Sequence, residues 1–257
     1  TRAMTWLNGK TTTWVLPSLF WLSVLLAWEW SARNGLISRL FFPPPSIIVA
    51  TLVRQLSNGE LLIDLGYTLA RTALGLALGG SLGLLLGLLM GWSDTVRKIA
   101  EPVVSAIHPM PKLTLLPLAL VIFGIGEQSK VLMIALAALF PMLINSLAGV
   151  QQIESLTWEV AHHYQARGWI LFRRVILPGS LPMILAGVKL AVNAALLIAV
   201  TVELVTARQG LGASIWLAWQ TLRTENLYAA LIVIALLGLG TNWALERITA
   251  YWIPWQQ

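Results

Sequence analysis

The chain alternates long apolar runs with short polar breaks, and that alternation predicts its elements. Thr1 to Thr13 is polar and carries Arg2 and Lys10. Trp14 to Ala32 is the first apolar run, flanked by tryptophans that suit a membrane interface. No small-residue cleavage site follows it, so it reads as a retained span. Phe42-Pro43-Pro44-Pro45-Ser46 breaks any helix, and Ser46 is placed to cap a new one. Ile48, Leu52, Gln55 and Leu56 then recur at helical spacing, which predicts a helix over Ile47 to Asn58 lying in the membrane surface. Leu61 to Trp92 is a second run, and Ser93 to Glu101 a short polar connection with Arg97 and Lys98. Pro102 to Phe123 is a third, irregular run with Pro109, Pro111 and Pro117 inside it. Lys130 to Val150 is the fourth, with Pro141 and Asn145. Met183 to Thr206 is the fifth, with Lys189, Asn193 and Glu203. Gln209-Gly210-Leu211-Gly212 reads as a turn, Ala213 to Asn226 as a Trp-rich amphipathic stretch, and Leu227 to Leu245 as the last run. The tail from Glu246 to Gln257 is polar, with Tyr251, Trp252 and Trp255 suited to the interface.

The pattern predicts an all-α integral membrane protein of about six transmembrane helices, a single membrane domain over residues 1–257. Composition requires the membrane. The chain is 57% hydrophobic and 11% charged, against about 25% charged in soluble domains. One aqueous globule cannot hide that much apolar side chain, so lipid is part of the solvent. The net charge of +6 sits in loops, where the positive-inside bias accounts for it without a nucleic-acid partner. There is no cysteine, hence no disulfide or thiolate site. His108, His162 and His163 do not make a ligand cluster.

The second run has glycine at 75, 79, 83, 87 and 91, each four after the last. At ~3.6 residues per turn they form one narrow stripe, where a neighbouring backbone can approach. Gly75, Gly79, Gly83, Gly87 and Gly91 are therefore expected to pack against another helix. The prolines of the third run predict a broken helix, a feature that often marks a translocation path.

Ionisable groups inside apolar runs are costly, about 2.5–3.5 kcal/mol on insertion scales, and those present usually pair or line a cavity. His108, Lys112, Asn193 and Glu203 are the candidates for a translocation path. Lys112 reads either as an attractor for a small anion or as a side chain reaching an interface. His108 reads as structural, and Glu203 as bonded to backbone or to a neighbouring helix. Lys189 is expected to reach the cytoplasm, and Arg71 to meet a headgroup or Asp64, seven residues before it on the same helix.

Residues 151–182 form a polar, basic island between the fourth and fifth runs. Glu159 to Arg167 suits one helix, Gly168 supplies positive φ, and Trp169 to Val175 suits a second. Pro178 and Pro182 are expected to interrupt the pattern before the next span. Trp169, Ile170, Leu171 and Phe172 make the second half apolar, suited to a protein groove. Arg167, Arg173 and Arg174 read equally as partner contacts or headgroup contacts.

Glu159-x-Ala161, Gly168 seven residues on, and Ile176-Leu177-Pro178 resemble the cytoplasmic coupling loop of ABC-importer permeases. The family's usual second alanine is Val160 here, or is displaced. Pro-Pro-Ser46, the run from His108 to Leu118 ending in Leu-Pro-Leu, and Phe123-Gly124-Ile125-Gly126 resemble the nitrate/sulfonate/taurine subfamily. The resemblance covers nearly the whole chain. It implies a type I importer permease fold with a cytoplasmic coupling helix in the inner membrane. Glu159, Ala161, Gly168, Trp169, Ile170, Leu171, Phe172, Ile176, Leu177 and Pro178 would be the coupling residues. It also implies a permease homodimer, two cytoplasmic ATPase subunits and an extracytoplasmic solute-binding protein. The solute would be nitrate, taurine, an alkanesulfonate or bicarbonate, carried by alternating access.

An even span count puts both termini on the coupling-loop side; the Lys and Arg bias has the matching sign but is weak. No Gly-x-x-x-x-Gly-Lys-Ser/Thr loop, His-Glu-x-x-His or Gly-x-Ser-x-Gly occurs. The expectation is a non-catalytic subunit with no cofactor of its own, ATP and Mg being bound by the partner ATPase. The other reading is a channel or secondary transporter independent of any ATPase.

Overall fold

The computed structural model describes residues 5–252, with side chains from Pro17 onward. Arg2 and Trp255 lie outside the described residues, as do the side chains of Lys10 and Trp14. The described chain is helical: α1 Thr5–Arg33, α2 Pro45–Ser57, α3 Glu60–Trp92, α4 Asp94–Ile107, a 3₁₀ turn Lys112–Leu115, α5 Leu116–Phe123, α6 Glu127–Gln151, α7 Ser155–His163, α8 Gly168–Leu171, a π turn Phe172–Ile176, α9 Leu177–Thr206, α10 Leu211–Gln220 and α11 Thr224–Trp252. They fall into two compact units. One holds the chain to Leu61 with Ser214–Ile232; the other holds Leu62–Ala213 and the chain from Val233.

In the first unit, a carboxylate on α1 holds the start of α2. Glu29 Oε2 accepts from the Ser46 amide at 3.0 Å, and Glu29 Oε1 accepts from the Ser46 hydroxyl at 2.7 Å. Ser46 therefore does not cap its own helix, as the sequence suggested; Pro44 is the N-cap residue, and Pro45 opens the helix where no N–H is needed. Tyr228 donates to the Phe41 carbonyl at 3.2 Å, and its ring lies 5.7 Å from that of Trp28.

The second unit is built on α3, α6 and α9. Small side chains make its core: Ala138, Ala191, Ala195 and Ala199 are buried with Leu88, Ile134, Met142, Val150 and Ile184. Without a strong hydrophobic drive between helices in lipid, close van der Waals contact must hold the spans together. The glycines of α3 supply it. A Cβ at Gly79 would overlap the Ala135 carbonyl, and one at Gly83 the Leu139 carbonyl. At Gly87 it would strike the Leu143 carbonyl, at Gly91 it would lie 2.5 Å from Val150 Cβ, and at Gly75 2.6 Å from Ile134 Cβ. The opposite face of α3 exposes Leu85 and Leu89, as a lipid-facing surface should. Gly149 and Gly187 make the same kind of approach between α6 and α9.

Three expectations are corrected. Residues 94–101 are not a polar connection: Ser93 Oγ accepts from the Val96 amide at 3.4 Å and starts α4, which runs through Pro102 to Ile107. The third run is consequently two pieces, Asp94–Ile107 and Lys112–Phe123, bent by 90°. The fifth span is not interrupted at Pro178 and Pro182. Helix runs from Gly168 to Thr206, and the π turn just before Pro178 widens the coil where a proline ring would meet the preceding turn. The last helix extends to Trp252, into the expected polar tail. Among the described residues four helices are long and apolar enough to cross a membrane, or five with the bent pair.

Candidate coupling surface and buried charge cluster

The island between α6 and α9 is α7, a turn, α8 and the π turn. Gln165 and Gly168 take positive φ (52° and 53°), and these two left-handed residues reverse the chain between α7 and α8. A Cβ at Gly168 would meet nothing within 4 Å, so the backbone alone makes the demand for glycine there.

The ten residues expected to couple divide by direction. Glu159, Trp169, Ile170, Leu177 and Pro178 are exposed, as is Gly168. Ala161 and Ile176 are buried, while Leu171 and Phe172 pack half-buried against the core of the unit. Phe172 lies between Trp92 and Trp169, with ring centroids 5.9 and 5.4 Å away. These four therefore seat the island on its own chain rather than face outward. The sequence reading missed Leu156, Val160 and Tyr164. They are 64, 47 and 84% exposed and share one face of α7 at i, i+4, i+8, a spacing that was available as the signal. Trp169 and Ile170 are exposed on the same island, as are Glu159, His162, His163, Arg167, Arg173 and Arg174.

At the far ends of the same helices lies a group of charges. Arg71 on α3 makes a two-pronged contact with Glu127 at the start of α6, Nε to Oε2 at 2.6 Å and Nη2 to Oε1 at 2.8 Å. Its Nη1 reaches Glu203 Oε1 on α9 at 2.7 Å and the Gln209 carbonyl at 2.6 Å. Lys130 Nζ lies 2.9 Å from Glu127 Oε1. Glu203 Oε2 accepts from the Thr68 hydroxyl at 2.8 Å and the Gly212 amide at 3.1 Å. Leu211 N–H donates to Thr68 Oγ1 at 3.0 Å, and Gly210 N–H to Asp64 Oδ1 at 2.8 Å. Asp64, Thr68 and Arg71 thus present one face of α3 to the opening turn of α10, whose free amides favour negative groups. Gly210, at φ 123°, sits where any Cβ would strike the Glu203 carboxylate, 2.5 Å from Cδ.

This corrects one expectation. Arg71 pairs with Glu127 and Glu203 rather than with Asp64, because a nearly buried guanidinium takes the carboxylates that packing brings to it. Lys130, at the head of the fourth run, is a buried member of α6.

The four candidates for a path are not brought together. His108 is exposed, with its ring 5.5 Å from that of Phe140. Lys112 donates to the His108 carbonyl and lies 4.8 Å from the Phe140 ring centre. Asn193 is exposed and donates to Asn242 at 3.4 Å. Glu203 is sealed in the charge cluster, 1% exposed. Lys189 pairs with Glu246 at 3.0 Å.

Residues 79–254 match the family model described as binding-protein-dependent transport system inner membrane component. The chain belongs to that family. As a member it is an inner-membrane transport permease. The taurine transport system permease protein of Escherichia coli (strain K12) is 34% identical to it over 94% of this chain and 90% of the relative. Two proteins named as aliphatic sulfonates transport permeases are each 32% identical. That of Escherichia coli (strain K12) matches over 94% of the permease and 90% of the relative; that of Bacillus subtilis (strain 168) over 98% and 88%. The permease fold is thus the type I all-α membrane fold of importer permeases.

Proposed function

We infer that the permease, as one membrane domain over residues 1–257, forms the translocation path of an ATP-driven importer for taurine or related small sulfonates. Force enters through the island of α7 and α8. The observation that carries this reading is the mixed character of the island's outer face. Leu156, Val160, Tyr164, Trp169 and Ile170 stand exposed on the same island as charged side chains. A lipid-facing surface, like the leucine face of α3, has no such mixture. A protein groove suits an apolar patch with a polar rim. The partner is a cytoplasmic ATPase subunit, one for each of two permease copies. The buried residues Ala161, Leu171, Phe172 and Ile176 tie the island to the spans, so a push on its face moves α6 and α9 as rigid rods. Relatives named for taurine and aliphatic sulfonates support the solute class, delivered by an extracytoplasmic binding protein.

The test is uptake in proteoliposomes. The permease, its ATPase and its binding protein together should accumulate labelled taurine or ethanesulfonate only with ATP. Full-rate uptake by the permease alone, without nucleotide, would end the proposal.

A further inference from the structure

The two carboxylates of the charge cluster differ in freedom. Glu203 is 1% exposed and bound at both oxygens by Arg71, Thr68 and Gly212. Glu127 is 57% exposed and sits in the first turn of α6. The two cations beneath it, Arg71 and Lys130, are only 5 and 7% exposed. Rotating one half-exposed side chain would therefore uncover Arg71 Nε and Nη2 and Lys130 Nζ together. Glu203 still balances one positive charge, so one remains without a counter-charge. A planar guanidinium fork beside an ammonium fits an oxoanion with several oxygens. Glu127 and Gln128 also close one end of a cleft of about 470 Å³ between α3 and α6. Its walls are hydrocarbon: Leu78, Leu82, Leu132 and Leu136.

We propose that Glu127 is an exchangeable cover on an oxoanion site, displaced from Arg71 and Lys130 by an amphiphilic anion whose alkyl chain lies in the α3–α6 cleft. Two sources share this chemistry. One is an alkanesulfonate solute, and this source rests on the importer reading above. The other is the headgroup of an anionic phospholipid. The site lies at the ends of α6 and α9 away from the island, which in an importer is the side where solute arrives.

The test uses the full-length permease with its ATPase in nanodiscs of phosphatidylcholine, titrated with pentanesulfonate. Glu127→Gln should bind about tenfold tighter than the parent, because a competing charge is gone while the cations stay. Lys130→Gln should bind about tenfold weaker. In a second arm, nanodiscs contain a minority of phosphatidylglycerol, and retained lipid is read by native mass spectrometry. Greater phosphatidylglycerol retention by Glu127→Gln, without pentanesulfonate binding in any form, assigns the site to the headgroup. The proposal is overturned if Glu127→Gln, incorporated into nanodiscs as the parent is, holds neither ligand better than the parent. Failure of the importer reading would show separately, as no ATPase copurifying with the parent chain, and would leave the comparison on the permease itself readable.

Discussion

Arg71 on α3 and Glu203 on α9 meet at 2.7 Å across 132 residues of sequence, with side chains 5 and 1% exposed. The pair fixes one end of the three-helix core and, through the Gln209 carbonyl and Gly212 amide, the start of α10. Breaking it from the buried side should be far worse than removing the exposed partner. Arg71→Leu leaves Glu203 as an uncompensated buried charge, which costs about 3–5 kcal/mol. Glu127→Gln leaves one cation of Arg71 and Lys130 without a counter-charge but opens it to solvent, so its loss should be the smaller of the two. Thermal unfolding of the two variants in one detergent measures the difference; equal losses would contradict the assignment.

Neighbouring glycines of α3 should behave in opposite ways. Gly79→Ala drives a methyl into the Ala135 carbonyl, and overpacking of this kind costs about 1–3 kcal/mol or more. At Gly80 the nearest atom outside the local backbone is Leu76 Cδ1, 3.6 Å from the added carbon. Gly80→Ala should be neutral or stabilising by about 0.4–1 kcal/mol, through loss of unfolded-chain freedom. Gly83→Leu should prevent assembly. A Gly79→Ala variant as stable as Gly80→Ala would remove the stripe as the packing surface.

Gly168 separates backbone demand from space. Nothing crowds it, yet its φ is 53°. Asparagine tolerates that region and valine does not. Gly168→Asn should keep most ATP-driven uptake. Gly168→Val should lose it, together with ATPase copurification, because strain of about 1–3 kcal/mol distorts the island. Equal activity of the two variants would show that the left-handed turn is not needed for coupling.

The sequence made the spans and the glycine stripe readable because both are local patterns, repeated along one helix. The turn at Gly168 was readable for the same reason. The charge cluster was not. Arg71, Glu127, Lys130 and Glu203 come from three separate apolar runs, and periodicity says nothing about which runs meet. Asp64 was the wrong partner because it was the one visible on the same helix. The signal in hand was weaker: opposite charges at matching depths of different spans, which desolvation requires to pair. Pro178 and Pro182 misled in the other direction. Proline normally ends a helix, but a π turn ahead of it accommodates the ring within a continuous span. On the island, the half-burial of Leu171 and Phe172 was not readable, because composition gives apolarity without direction.

The chain has no cysteine, so a single introduced thiol reports its own position. Tyr164, 84% exposed at the end of α7, is the most direct probe of the central claim that the island takes force from a cytoplasmic ATPase. Tyr164→Cys should resist a membrane-impermeant maleimide in intact spheroplasts, react once the membrane is opened, and crosslink to the ATPase subunit in the assembled complex. Labelling of that thiol from outside intact spheroplasts would contradict the account.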